Sequence, residues 1–367
     1  MYTGKMALDS RICDRIPITN AAIKNVDAFG IEVELEGTDV ANMTPLVAEY
    51  WAPHQDHSLR AHNGGQAIEY VFHKPYPMDK TRLAVDVLYD FLSDPKIIVK
   101  DSYRTSIHVH VNLAANTFRT VYNFIALSLI LDELLVSQNG DHRVGNNFCL
   151  RAKDAYGQVQ SLINSIQASN DVFRVSQNER YSSINFASLS KFGSVEFRSL
   201  ECTTDKARLV HWINTLQKIK DSASLYKNPV EVIGEFSKMG PQQFLLKVLG
   251  PYAIKYISVP GYEDMLKTGM RIAQDFAYCS AWNVRELPKE GEMEVKPKKA
   301  KPLKYAPPQN YGVMPAGGFQ AVYGQWDIEA APQVAIQAPP PYDGEVIQVQ
   351  PDHGAAFWNE FAEPNDE

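Results

Sequence analysis

The chain has few cysteines, and they are scattered. Cys13, Cys149, Cys202 and Cys279 are the only four in 367 residues, and no pair has C-x-x-C spacing. This excludes a disulfide framework or a cysteine zinc knuckle and reads as reduced, intracellular thiols. The opening residues, MYTGKMALDSRICDR, contain no apolar run, so no secretory signal is expected there. The most apolar stretch, Val121 to Val136, is interrupted by Asn123, Asp132 and Glu133. It is too short and too polar for a bilayer span, and no membrane association is expected. Positive charge is not in excess, with 36 Lys+Arg against 43 Asp+Glu, so there is no footprint for nucleic-acid binding. No Gly-rich phosphate loop occurs. The expectation is a cytoplasmic protein.

What is present suits a globular core: 45% hydrophobic and 22% charged residues. The acidity is uneven. From Ala306 to Glu367 there are nine acidic residues and no Lys or Arg, so the remainder carries 36 basic against 34 acidic side chains. Residues 287–367 hold twelve of the 22 prolines and no Ser or Thr. Proline at this density removes backbone donors and blocks regular elements. The expected organisation is therefore a folded domain over 1–286 and a Pro-rich, acidic, disordered tail over 287–367 with polyproline character. The tail keeps Phe319, Tyr323, Trp326, Phe357, Trp358 and Phe361, which marks it either as a docking segment for a protein partner or for the folded body itself, or as a passive extension.

Residues 1–286 mix two periods. Strict alternation marks strands at 28–36 (AFGIEVELE) and 106–113 (SIHVHVNL), and 66–73 reads as another strand. Residues 182–188 and 193–200 read as a hairpin joined by SLSKF, with Gly193 at the turn. Helical spacing marks 84–94, 118–137, 206–223 and, less sharply, 241–275. The mixture predicts an α+β fold, an antiparallel sheet with one polar face and helices packed on the other.

The strands carry their chemistry on one side, because successive side chains point to opposite faces. Ile31, Val33 and Leu35 oppose Glu32, Glu34 and Glu36. A row of carboxylates about 7 Å apart either stands in water on an edge strand or faces cations. Ile107, Val109 and Val111 oppose His108, His110 and Asn112; the imidazoles are either satisfied core groups or converge on one small site. Val195, Phe197 and Ser199 oppose Ser194, Glu196 and Arg198. That last pair reads either as a surface ion pair or as a metal ligand beside a phosphate-binding guanidinium. Glu69 is either a buried ligand or an edge residue. Carboxylates with one or two imidazoles suit Mg²⁺ or Mn²⁺ better than structural zinc, and several divalent ions beside an arginine suit phosphate chemistry.

Taken in chain order, these segments resemble the amidoligase family, among the carboxylate–amine ligases that share the glutamine synthetase and glutamate–cysteine ligase fold. The segments are GIEVELE (Gly30–Glu36), WAPHQDHSLR (Trp51–Arg60), the IEYV strand with Glu69, SIHVHVN (Ser106–Asn112), RYSSINF (Arg180–Phe186) and GSVEFRSL (Gly193–Leu200). The resemblance covers about residues 28–215. It departs from the family pattern after Glu69, where Tyr-Val-Phe-His-Lys-Pro stands in place of an early Ser-Pro.

The resemblance implies an enzyme that uses ATP and Mg²⁺ to join a small-molecule or peptide carboxylate to an amine through an acyl phosphate. It implies that Glu34 and Glu69 hold one metal and that Glu32, His108 and Glu196 hold another. Arg180 and Arg198 would stabilise the transferring phosphoryl group, His110 would touch phosphate or orient the site, and Asn185 would help hold the nucleotide. Asp56 would bind or deprotonate the amine. Two other readings compete: a metal hydrolase built on the H-x-H strand, which needs no nucleotide, and a non-catalytic scaffold derived from the ligase fold, with the tail as its working part.

Overall fold

In the computed structural model, the described residues are 8–14, 27–61, 64–169, 172–173, 175 and 181–282, all within one compact unit, Met1–Glu292. The expected tail over 287–367 and the boundary before it lie outside the described residues.

The alternating segments form one antiparallel sheet. Its strands are β1 (Phe29–Thr38), β2 (Trp51–His54), β3 (Gln66–Phe72), β4 (Ile98–Val99), β5 (Ser106–Asn112), β6 (Ile184–Asn185) and β7 (Ser194–Glu201). The spatial order is β2-β3-β1-β5-β7-β6, with β4 added to the end of β1. The glutamate-bearing β1 is thus central and not an edge, paired to β3 on one side and β5 on the other. Glu69 is likewise interior, because β3 lies between β2 and β1.

One face of the sheet is dry. Ile31, Val33, Leu35, Ile107, Val109 and Val111 are all at most 1% exposed. Each such side chain contributes about 1.5–3 kcal/mol by leaving water. Three helices cover this face: α2 (Met78–Leu92), α3 (Phe118–Gln138) and α6 (Lys206–Ala223). On β7, Phe197 meets Phe124 of α3 and Trp212 of α6 edge-on, at 5.9 Å in each case. The indole of Trp51 donates to the Ala84 carbonyl of α2 at 2.9 Å, tying the far edge of the sheet to its helix. Helix starts are set by side-chain caps: Thr117 accepts from the Thr120 amide and Asp205 from the Ala207 amide.

Further helices complete the unit: α4 (Tyr156–Ser169), α7 (Pro229–Leu249), α8 (Ala253–Ile257) and α9 (Tyr262–Ala277). The helical stretch expected at 241–275 divides because Gly240–Pro241 kinks α7 and Gly250–Pro251 ends it. Among the described residues, α3 alone is long and apolar enough to cross a membrane, but 89% of its apolar window is buried between the sheet and other helices, α9 foremost.

Two local expectations are corrected. SLSKF is not a plain turn but a short helix, α5 (Ser188–Phe192), closed by Gly193 in the left-handed conformation (φ 70°) with its amide on the Leu189 carbonyl. Strict alternation also fails in β7. The register with β5 shifts between Ile107 and Val109, so Leu200, not Ser199, stands opposite Ile107 on the dry face. The extra residue is a β-bulge. Ser199 accepts instead from the Asn139 side chain at 2.9 Å.

Candidate active site

Register assembles the polar face. Antiparallel partners share a face, and the pairing sets Glu34 opposite Glu69, Glu32 opposite His108, and His110 opposite Glu196. Asn185 stands opposite Glu196 from the other side. Residues separated by more than 150 positions thereby become neighbours.

Their contacts are short. His108 Nδ1 lies 2.9 Å from Glu32 Oε2 and 3.6 Å from Glu196 Oε1. Its Nε2 lies 2.8 Å from the Ser106 hydroxyl, which donates to Glu34 Oε2 at 2.6 Å. His110 Nε2 is 3.3 Å from Glu32 Oε1, and its Nδ1 meets the Ser194 hydroxyl at 3.1 Å. Asn185 donates to Glu196 Oε2 at 2.7 Å and Arg198 to Glu196 Oε1 at 2.5 Å. Behind them, the buried Arg143 donates through Nη2 to the Arg198 carbonyl at 2.8 Å, bracing the bulged strand. Asp56 turns its own loop by accepting the Ser58 amide at 2.6 Å. Glu36, the last of the β1 row, accepts the Arg60 amide at 2.7 Å.

Three groups offer donor atoms within 4.8 Å of one another: Glu32, His110 and Glu196; Glu32, Glu69 and His108; Glu34, Asp56 and Glu69. All five residues expected as metal ligands are in this cluster, joined by His110 and Asp56. Glu34 and Glu69 fall in one group, with Asp56, whereas the expected trio of Glu32, His108 and Glu196 is divided between the other two. Arg198 and Asn185 reach the cluster through Glu196. Arg180 lies outside the described residues.

Packing carboxylates together out of water has a measurable consequence. Burial, then the charges of Glu32, Glu34 and Asp56, push the Glu69 carboxyl up to about 8. Burial also opposes ionisation of Glu32, but hydrogen bonds from His108 and His110 outweigh it and hold that carboxyl well below its ordinary value. At Glu196 burial is outweighed by the charge of Arg198, then those of the two histidines, and the carboxyl is lowered. His110 is raised, its desolvation overcome by the Glu32 hydrogen bond. The face thus alternates charges held by partners with one carboxyl, Glu69, that lacks enough positive charge nearby. An oxygen-rich donor set with imidazole and no thiolate fits Mg²⁺ or Mn²⁺.

Cavities flank the cluster at both ends of β1. One, of about 190 Å³, opens above Gly30 and is lined by Val71, Phe72, Lys74, Asn112, Phe192 and Ser194 besides Glu32 and His110. Gly30 belongs to the glutamate row by parity, and a Cβ there would stand 3.3 Å from His110 Cβ. Its missing side chain keeps this end open. The other cavity, of about 430 Å³, lies at the Glu36 end.

Some site residues escaped the sequence reading. Ser106 and Ser194 share parity with the histidines and with Glu196; alternation puts Ser194 on the polar face beside Glu196 but gives neither serine a role. Across from Glu69 stands His54, in a strand too short for a periodic signal. Arg143 and Phe192 had no local signal, since they reach the site from a single 3-10 turn, Asp141–Arg143, and from a helix end.

The fold and this face define an α+β protein with a carboxylate- and imidazole-lined antiparallel sheet braced by an arginine. Residues 71–220 match the family model described as "putative amidoligase enzyme", which is the family that the sequence motifs resemble and one of ligase-type enzymes. The matched segment contains His108, His110, Asn185, Glu196 and Arg198; it begins after Glu32, Glu34, Asp56 and Glu69. No curated protein matches the chain.

Proposed function

We propose that the chain is an ATP- and Mg²⁺-dependent carboxylate–amine ligase that forms an amide through an acyl phosphate. One observation carries this reading: on one face beside two cavities, three strands bring together Glu32 hydrogen-bonded to His108 at 2.9 Å and Arg198 hydrogen-bonded to Glu196 at 2.5 Å, with His108 joining the two pairs at 3.6 Å from Glu196. Divalent ions held by the three donor groups would screen the phosphates of ATP and polarise the phosphoryl group being transferred.

The protein's own residues supply the rest. Arg198 is half-buried and has its charge fixed beside Glu196; desolvation disfavours that charge but the carboxylates of Glu196, Glu34 and Glu32 restore it. A preorganised guanidinium stabilises equatorial phosphoryl oxygens without having to reorient in the transition state. Asn185 and Arg198 hold the two oxygens of Glu196, so that carboxylate is aimed by both. The slot above Gly30 has an apolar wall in Phe192 and Phe72 and polar edges in Asn112 and Ser194, which suits a heteroaromatic base, with its phosphates leading toward Glu32 and Arg198. The substrate carboxylate then attacks the γ-phosphorus, ADP leaves, and the amine displaces phosphate from the acyl carbon. The trio of Glu34, Asp56 and Glu69 attracts a cation, which serves an ammonium as well as a metal ion; Asp56 is placed to receive the amine's proton.

The test is phosphate release from ATP that requires an acid and an amine together. Glu32→Ala and Glu196→Ala, with folding retained by circular dichroism, should each reduce it at least a hundredfold. A wild-type chain that binds neither ATP nor Mn²⁺ would overturn the proposal. A metal hydrolase would instead act without nucleotide, and it leaves Arg198 without a task.

A further inference from the structure

At the Glu36 end of β1, opposite the slot above Gly30, the wall of the 430 Å³ cavity changes sign. Arg60, Lys100 and Arg104 line it, with Glu36, Asp101 and His142. The acidic members are engaged: Glu36 accepts the Arg60 main-chain amide, and Asp101 meets His142 at 3.0 Å. The two guanidinium groups meet carbonyls and a ring instead, Arg104 lying 4.9 Å from the Tyr103 ring centroid. Arg60 gives Nη1 to the His57 and Leu59 carbonyls, at 2.5 and 2.9 Å, and Arg104 gives Nη1 to the Ser58 carbonyl at 3.3 Å. Among the described residues none of Arg60, Lys100 and Arg104 has a carboxylate partner. Glu36, the last carboxylate of the β1 row, lines the same cavity, yet Arg60 and Arg104 give these guanidinium donors to carbonyls of residues 57–59. That loop, 56–60, is the same one that presents Asp56 to Glu34 and Glu69.

A single carboxylate activated at the metal cluster is neutralised there and has no use for three more positive charges. From this we infer that the acid substrate is an acidic, peptide-like chain with at least two carboxylates, one activated at the cluster and a further one held by Arg60, Lys100 and Arg104. The inference rests on the ligase reading and specifies its carboxylate donor. Guanidinium forks suit this task because each retains nitrogen donors in a planar array matched to a carboxylate. A cavity of this volume admits more than one residue of such a chain.

The full-length chain with Mg²⁺ should bind N-acetyl-triglutamate at least tenfold more tightly than N-acetyl-trialanine, which has one carboxylate, by calorimetry. Arg60→Gln with Arg104→Gln should abolish that preference while Mn²⁺ binding stays as in wild type. Lys100→Gln, which removes an exposed side chain that makes no hydrogen bond among the described residues, should reduce it severalfold even if the double variant does not fold. Equal affinity for the two peptides, no binding of either, or variants that discriminate like wild type would each overturn the inference. Phosphate release in the same samples separates the two claims. Peptide discrimination without ATP consumption defeats the ligase reading alone. Amide-forming ATP turnover that is indifferent to substrate charge defeats the inference alone.

Discussion

Replacing Glu69 by glutamine should make the metal-free protein more stable and the metal-loaded protein less able to bind its ion. In the fold, burial and three neighbouring carboxylates raise the Glu69 carboxyl from 4.5 to about 8. At about 1.4 kcal/mol per pH unit the displacement has an upper bound near 5 kcal/mol. Glu69 is half-buried, and solvent screening reduces the effect to roughly 1–3 kcal/mol. The sign follows from linkage. Between pH 4.5 and 8 the folded chain holds a proton that the unfolded chain has released, so the Glu69 contribution weakens stability as pH rises through that window. A glutamine side chain cannot ionise and is free of this penalty. In EDTA at pH 8, Glu69→Gln should therefore melt about 2–10 °C above wild type, and near pH 5 the two should coincide. Adding Mn²⁺ reverses the order at pH 8, because the ion binds the ionised carboxylate and stabilises the folded state by mass action. Thermal melts of both proteins at pH 5 and pH 8, with EDTA or Mn²⁺, give the eight curves needed. A wild type whose melting temperature tracks that of the variant at both pH values would refute the electrostatic reasoning. An equal response to Mn²⁺ would refute the role of Glu69 in holding a cation.

Other perturbations probe the remaining parts of the site. Asn185→Asp places a second carboxylate where an amide now donates to Glu196 at 2.7 Å; it should cost about 2–4 kcal/mol in urea unfolding, whereas Asn185→Ala should cost about 1–2. Gly30→Val fills the slot beside His110 and should raise the apparent KM for ATP at least tenfold in a phosphate-release assay, with Mn²⁺ binding preserved. Phe197→Ala removes the ring between Phe124 and Trp212 and should destabilise the chain by about 3–5 kcal/mol by calorimetry, whatever its effect on activity.

The site was readable in the sequence to the extent that it is written in strand alternation. Glu32, Glu34, His108, His110, Glu196 and Arg198 all lie on the face that period-two patterning assigns them, and their dry counterparts are buried as expected. Where local geometry departs from ideal period two, the reading failed: the bulge in β7 exchanges Ser199 for Leu200 on the dry face, and a helical turn replaces the SLSKF loop. Short elements such as Trp51–His54 and Ile98–Val99 carry too few residues to show a period, yet the first places His54 across from Glu69 and the second leads into Lys100 and Arg104. The choice between solvated edge and buried centre for the β1 glutamates also needed the fold, since both environments allow the same alternation.

By itself, then, the amino-acid order determined which side chains share a strand face and that this face is ionisable, because side-chain direction along a strand depends only on neighbouring residues. Only the tertiary structure decided which faces meet. Opposing Glu34 to Glu69 and Glu32 to His108, bringing Asn185 and Arg198 to Glu196, and gathering Arg60, Lys100 and Arg104 around one cavity at the Glu36 end of β1 are matters of register and loop docking. Those are settled by long-range packing of the dry face against α2, α3 and α6, to which no local stretch of sequence has access.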